Sequence, residues 1–430
     1  MRRTGWLLVI LFLSASILPA LAAADWKADV KAQIAAREYA KALALLEKNK
    51  AEAGTPDFLC LRGDAYFETG RVMDAQADLE KALAQVETRA DCHATLALTF
   101  AKQRKGPQAK AQADRAVELD KNTRDLYALG IVLFSGGMFD EAAAALDQAI
   151  TLDPTKSEPY LARGAIYRFR DKNDDALLQF EKAMQRDKRP YKVYLELAST
   201  YVMMGDPTKA KAEIQKAVEA APDIYAGYMG RAFIRQQYGE AEGALADFTK
   251  AIELAPQLAE IHFAKANLQI ALSRPAEAEK TIQAAEPYCK EIPEWYVMLS
   301  ALQRMQSKND AALATIDRLI AAYPNAWEGY NLRGQLHASL EHAVEAFADL
   351  DKAISIAPKA IEPRVNKAAL YTKQDKKEKA LALLNKVVAD YPDNISVLQM
   401  REQLNENMGR NAEALADLNK IQALKKKAQQ

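Results

Sequence analysis

The sequence predicts an all-α chain, an α-solenoid of about twelve helix-turn-helix units of 34 residues running from 23 to 430. Alanines recur at Ala42, Ala75, Ala109, Ala142, Ala176, Ala210, Ala244, Ala278, Ala312, Ala346, Ala380 and Ala414; nine of the eleven steps are 34 residues and two are 33. Around these alanines apolar residues fall three, four and seven apart, the spacing of one helical face. Prolines close many units, as at Pro154, Pro222, Pro256, Pro324, Pro358 and Pro392, because a residue without a backbone N–H cannot continue a helix.

The first two dozen residues belong to a different object. Arg2 and Arg3 precede the apolar run Trp6 to Leu13, and Ala20-Leu21-Ala22 is a small-x-small cleavage sequence. This is the layout of a secretory signal peptide over 1–22, cut after 22 or 24. Uncut, Trp6 to Ala24 is about long enough to span a bilayer, which leaves a membrane-anchored adaptor as the alternative. If the segment is removed, no stable membrane insertion is expected.

Residues 124–154 show how one unit is built. Leu126, Leu129 and Leu133 form one apolar stripe, and Gly136-Gly137 ends the first helix. Asp140 is expected to cap the second helix, with Phe139 packed just before it. Ala142, Ala145, Leu146, Ala149 and Ile150 form the second stripe. Along the chain a small residue follows the early large residue of each first helix, as in Arg62-Gly63, Arg163-Gly164 and Arg333-Gly334, and admits a second helix at close range. Four residues after each column alanine a large apolar residue is expected to pack, from Leu46 and Leu79 through Phe180 and Phe248 to Leu418, with Ala113 the exception. The units from Ala90, Ala259 and Pro293 depart from the pattern at their turns or small positions and are expected to be looser or locally shifted, with their alanine register kept.

Spacing, alanine column, small residues, tyrosines and terminal prolines together resemble the tetratricopeptide repeat (TPR) family over 23–430. The resemblance implies a right-handed superhelix of stacked hairpins whose first helices line a concave groove. It also implies a protein-binding role. Stacking buries the stripe that a lone hairpin leaves exposed, so stability is close to a sum of unit and neighbour terms.

Acids and bases balance at 58 each, so no broad basic field for nucleic acid exists. Three cysteines, Cys60, Cys92 and Cys289, are too few for a disulfide framework. Cys60 and Cys92 lie in the first helices of neighbouring units, where a bridge is conceivable in an oxidising compartment. Equivalent helices of stacked units are usually too far apart for one, so buried thiols are the expectation for all three. His93 and His262 occupy packing positions; His337 and His342 are five apart across a helix end, and a metal site needs more ligands. No nucleophile elbow, zinc-protease motif or phosphate loop occurs. The expectation is a non-enzymatic chain with no cofactor and no metal.

The concave positions carried over from the family fall on Tyr127, Ile131, Phe134, Leu161, Arg168, Phe169 and Met203, then on Met229, Phe233, Gln237, Phe263, Asn267 and Arg304. Most are large and apolar, and exposed apolar surface of that extent marks a binding site. Arg168 and Arg304 are expected as polar anchors. The lysines and asparagines that clamp a partner's terminal carboxylate in some family members are absent here except for Asn267. The expected function is a protein–protein interaction scaffold or assembly factor exported to the periplasm or cell envelope. A subunit of a polysaccharide-export or glycan-binding envelope complex is the alternative.

Overall fold

The computed structural model of the chain describes residues 25–427, so the expected signal peptide lies outside the described residues. Among these residues every regular element is helical. The chain forms two compact units, one ending at Gly230 and one beginning at Arg231.

The first unit contains α1 (Trp26–Ala35), α2 (Tyr39–Lys48), α3 (Pro56–Glu68), α4 (Val72–Gln85), α5 (Ala90–Lys102), α6 (Gly106–Leu119), α7 (Thr123–Ser135), α8 (Phe139–Leu152), α9 (Glu158–Phe169), α10 (Asn173–Met184), α11 (Tyr191–Met203) and α12 (Pro207–Ala220). The division falls inside α13 (Tyr225–Gln237). The second unit continues with α14 (Ala241–Leu254), α15 (Ala259–Ala271), α16 (Pro275–Ala284), the short α17 (Glu286–Cys289), α18 (Pro293–Met305), α19 (Asn309–Ala322), α20 (Trp327–Ser339), α21 (Ala343–Ile356), α22 (Ile361–Lys373), α23 (Lys377–Asp390), α24 (Ile395–Asn407) and α25 (Asn411–Lys427). Within each unit these are stacked helix-turn-helix hairpins.

The alanine column is the seam of every hairpin: all twelve of its members are buried. The large residue four positions on is buried with it from Leu46 through Leu384, as is Ala113. Leu418 is the correction, being 37% exposed, because no described hairpin follows to cover it. The small residues work as expected. A Cβ on Gly164 would lie 2.4 Å from the ring of Phe180, which is itself fully buried. Gly164→Ala is therefore expected to cost about 1–3 kcal/mol, as overpacking does where a rigid ring cannot yield. Gly63→Ala meets the flexible end of Leu79 instead and is expected to cost less; urea midpoints of the two variants check the order.

Each hairpin turn holds one residue in the left-handed region, glycine at Gly70, Gly137, Gly205, Gly239 and Gly409, and a non-glycine residue at seven others including Arg37, Arg104 and Ser273. The turn conformation is thus kept where the glycine is missing. The unit from Ala90 is not loosened either: α5 buries Cys92, His93, Ala94, Leu96, Ala97 and Phe100 along most of its circumference. The unit from Ala259 does differ, since Pro287 sits in the extra turn α17. Asp140 does not cap α8. The helix starts at Phe139, straight from the left-handed Gly137 turn, and the Asp140 carboxylate accepts from Arg170 Nη2 at 2.7 Å.

The expectation of three thiols is wrong for two of them. Cys60 of α3 and Cys92 of α5 form a disulfide, with their Cα atoms 5.5 Å apart, while Cys289 is free and buried. That Cα separation lies within the range a disulfide spans. The bridge closes a sequence separation of 32, for which loss of denatured-chain entropy corresponds to about 3–4 kcal/mol. Cys60→Ser with Cys92→Ser is expected to lower stability by about that amount without dithiothreitol and to equal the wild type with it, as read by urea denaturation under the two conditions.

Candidate partner-binding site

In the first unit the hairpins curl until the first meets the fifth and sixth. The α1–α2 turn reaches the α10–α11 connection. Arg37, which is 5% exposed, places Nη2 2.7 Å from Asp187 Oδ2 as an ion pair and donates to Glu158 Oε1 at 3.1 Å. Its backbone carbonyl accepts from Arg189 Nη1 at 2.5 Å. Beside it the Tyr39 hydroxyl donates to Glu68 Oε2 at 3.1 Å, and Lys192 Nζ donates to the same oxygen at 2.7 Å. Burial works to raise the Glu68 pKa, but Lys192 and Arg37 outweigh it and hold the carboxyl below its ordinary value. Burial likewise opposes the charge on Lys192, and Glu68 more than compensates, so the ammonium stays protonated. Tyr39, Tyr191, Ala221 and Ile224 form the apolar part of this closure.

The closure leaves a cavity of about 420 Å³, lined mainly by first-helix residues, among them Phe67, Leu98, Tyr127, Ile131 and Leu195. Tyr127 and Ile131 line this cavity, and burial pushes the Tyr127 hydroxyl up to about 12. The next turns of the same helices carry a second feature. Phe134 of α7 and Phe169 of α9 meet edge to face at 6.0 Å, Phe139 stacks on Phe169 at 4.8 Å, and Phe169 is still 64% exposed. Met203 of α11 is 54% exposed. Leu161 is half-buried. Arg168 is not a free anchor: its Nη2 donates to Glu196 Oε2 at 2.6 Å, and its Nη1 lies 3.7 Å from Met203 Sδ.

The remaining candidates fall at or beyond the division. Met229 is half-buried at the end of the first unit. In the second unit Phe233 packs edge to face on Phe248 at 5.3 Å yet is 47% exposed, and Gln237 and Asn267 are exposed. Phe263 packs against the buried cluster around Trp295, and Arg304 is half-buried on α18.

Several groups of the closure have no trace in the apolar pattern. Arg37, Glu68 and Lys192 read as polar turn or surface residues until the fold brings them together. A second set was visible as a spacing. An arginine of the first helix pairs with an aspartate sixteen residues on in Arg62–Asp78, Arg231–Asp247, Arg333–Asp349 and Arg401–Asp417, each with two hydrogen bonds of 2.6–2.9 Å. These tie the two helices of one hairpin and are structural. His93 and His262 are buried, with Nε2 at 2.8 Å from the Glu87 carbonyl and at 2.9 Å from that of Pro256. Among the described residues, Cys60, Asp91 and Cys92 approach the spacing of metal ligands, but the sulfurs are bonded to each other and Asp91 is held by Arg89. No described helix is long and apolar enough to cross a membrane.

Two sequence profiles described as tetratricopeptide repeat match the chain, one over 170–229 and 339–404, the other over 94–157 and 301–361, together more than half its length. Among solved structures, the APC/C hetero-tetramer Cut9-Hcn1 is similar at 15% identity, covering 93% of this chain and 92% of that one with a TM-score of 0.38. Yeast Tom70 is similar at 16% identity, covering 86% and 96% with a TM-score of 0.42. No curated protein matches.

Proposed function

The chain belongs to the tetratricopeptide repeat family, and from that premise we propose that it is a non-enzymatic scaffold, exported to the periplasm or cell envelope, that holds segments of partner proteins against the first helices of its hairpins. The observation that carries the binding role is the exposure of Phe169, Met203 and Phe233 on those helices. Large apolar side chains left in water are interaction surface, and methionine adapts to partners of different shape. Export is supported by the Cys60–Cys92 bridge, since disulfides persist in oxidising compartments, and by the apolar N-terminal segment.

Photocrosslinkers placed at Phe169 and Phe233, followed by mass spectrometry of the adducts, test the binding role. Defined partner segments are expected, and they are expected to disappear in Phe169→Glu and Phe233→Glu. Partners that stay bound in both variants would sink the reading. The mass of the mature chain tests export: a chain beginning at Ala23 or Asp25 is expected, and an intact Met1 is incompatible with cleavage.

A further inference from the structure

We infer that the cavity in the first unit is a site for one small uncharged polyol, a sugar-sized ring bearing neighbouring hydroxyl groups, and that the closure of the hairpins assembles it. The inference goes beyond the partner-binding role and does not depend on it.

The lining comes from both sides of the closure. Glu68 of α3 and Leu98 of α5 belong to the second and third hairpins, Lys192 and Leu195 of α11 to the sixth, and Ile224 precedes α13. Glu68 and Lys192 are 124 positions apart in sequence, and their contact joins the two walls. The first hairpin holds the walls together from outside the lining. Tyr39 donates to Glu68, and Arg37 pairs with Asp187 in the α10–α11 connection. The cavity therefore lasts only as long as the closure holds.

Three polar groups on the wall have hydrogen-bonding capacity to spare. Tyr39 and Lys192 both donate to Oε2 of Glu68, and no described residue donates to its Oε1. Lys192 spends one of its N–H groups on that contact, and an ammonium carries more than one. Among the described residues the Tyr127 hydroxyl has no hydrogen-bond partner, although it lines the cavity and feels the charges of Lys192 and Glu68. A phenol so enclosed calls for a partner. Lys192 Nζ and Glu68 Oε2 are 2.7 Å apart, close to the distance between two hydroxyl oxygens on adjacent ring carbons. One ligand hydroxyl can thus donate to Glu68 Oε1 while its neighbour accepts from Lys192, and a third meets Tyr127.

The rest of the wall selects against other ligands. Phe67, Leu98, Ile131, Leu195 and Ile224 are apolar and cover the C–H faces of a ring. An ionic group gains Lys192 or Glu68 only by parting one from the other, which leaves a half-buried charge unmatched. Of the remaining charged groups on the wall, Lys102 is exposed at the rim, and Glu158 shares Arg37 with the buried Asp187. At about 420 Å³ the cavity is at the small end of ligand sites, which sets the ligand at a single ring. Filling the cavity favours the closed arrangement, and loosening the closure weakens the ligand by the same factor.

The test is ligand-observed saturation-transfer NMR on the full chain with D-glucose, D-galactose, D-mannose and myo-inositol, beside cyclohexanol, cyclohexylammonium and D-glucuronate. Saturation transfer to at least one of the four polyols is expected at millimolar concentration. Cyclohexanol, which lacks the neighbouring hydroxyls, and the two ions are expected to bind about tenfold more weakly or not at all. Tyr127→Phe lies outside the closure and removes one hydroxyl; the affinity for the bound polyol is expected to fall about threefold or more. Arg37→Met touches no part of the lining, and a fall of about tenfold is expected through the closure. Tyr39→Phe is expected to act in the same direction and less, and it takes over if circular dichroism shows Arg37→Met unfolded. Absence of transfer to all four polyols would overturn the proposal. So would cyclohexanol or either ion binding as tightly as the best polyol, or an unchanged affinity in Tyr127→Phe. An unchanged affinity in the folded first-hairpin variant would overturn the assembly of the site by the closure.

Discussion

Arg37→Met is expected to lower the stability of residues 25–230 by about 3–5 kcal/mol, the usual cost of removing one partner from a buried ion pair. The side chains of Arg37 and Asp187 are each 6% exposed, so the carboxylate left behind has little access to water. Arg37 also contacts Glu158 at 3.1 Å, but that carboxylate is 41% exposed and water solvates it when the arginine is lost. Replacing both partners, Arg37→Met with Asp187→Leu, is expected to recover much of the loss, because a well-packed apolar pair often matches a buried ion pair. Urea denaturation followed by circular dichroism reads both. An additional early transition in Arg37→Met would show the first hairpin detaching alone. A single transition with an unchanged midpoint would show that the closure contributes nothing.

The second large effect has the opposite sign. Asp125 is fully buried in the first turn of α7, and burial pushes its carboxyl up to about 7, with Arg124 opposing. Neither carboxylate oxygen has a hydrogen-bond partner. A carboxyl whose folded pKa lies above its unfolded one of 3.8 favours folding most when it is protonated in both states. That advantage is lost as pH rises from about 4 to about 7, and the cost of ionising the buried group is then constant. Asp125→Asn removes this dependence. Its gain over the wild type is expected to be about 3 kcal/mol larger at pH 7.5 than at pH 4.5, from 1.36 kcal/mol per pKa unit. Parallel urea titrations of the two proteins at the two pH values check it; a gain that is the same at both, or larger in acid, is incompatible with a raised Asp125.

The hairpin register was legible because it depends on residues close in sequence. Each column alanine packs within its own hairpin, so Ala142 and Gly130 betray their contact by spacing alone. The left-handed turns were half legible, since Gly137 announces one and Arg37 does not. What the chain does between hairpins was harder to see. Cys60 and Cys92 bond because their positions on α3 and α5 face each other with Cα atoms 5.5 Å apart, a register between hairpins that no spacing in the sequence reveals. The closure joins residues such as Arg37 and Arg189, 152 positions apart. It depends on the small rotation between successive hairpins accumulating over five of them, and no single residue encodes that. For the candidate binding face, apolar character singled out Phe169 and Met203, which are exposed, but the charges that surround the cavity come from positions with no periodic signature.

The Cys60–Cys92 bridge has a mechanical consequence. A stack of hairpins loaded through its ends lengthens by surrendering one hairpin after another, each releasing its full contour. Between these two cysteines the thread is short-circuited. The covalent link carries the tension past a separation of 32 residues, withholding roughly 110 Å of extension at about 3.5 Å per residue. Residues 60–92 therefore behave as an inextensible knot on an otherwise yielding cord, and reduction of one bond restores their slack.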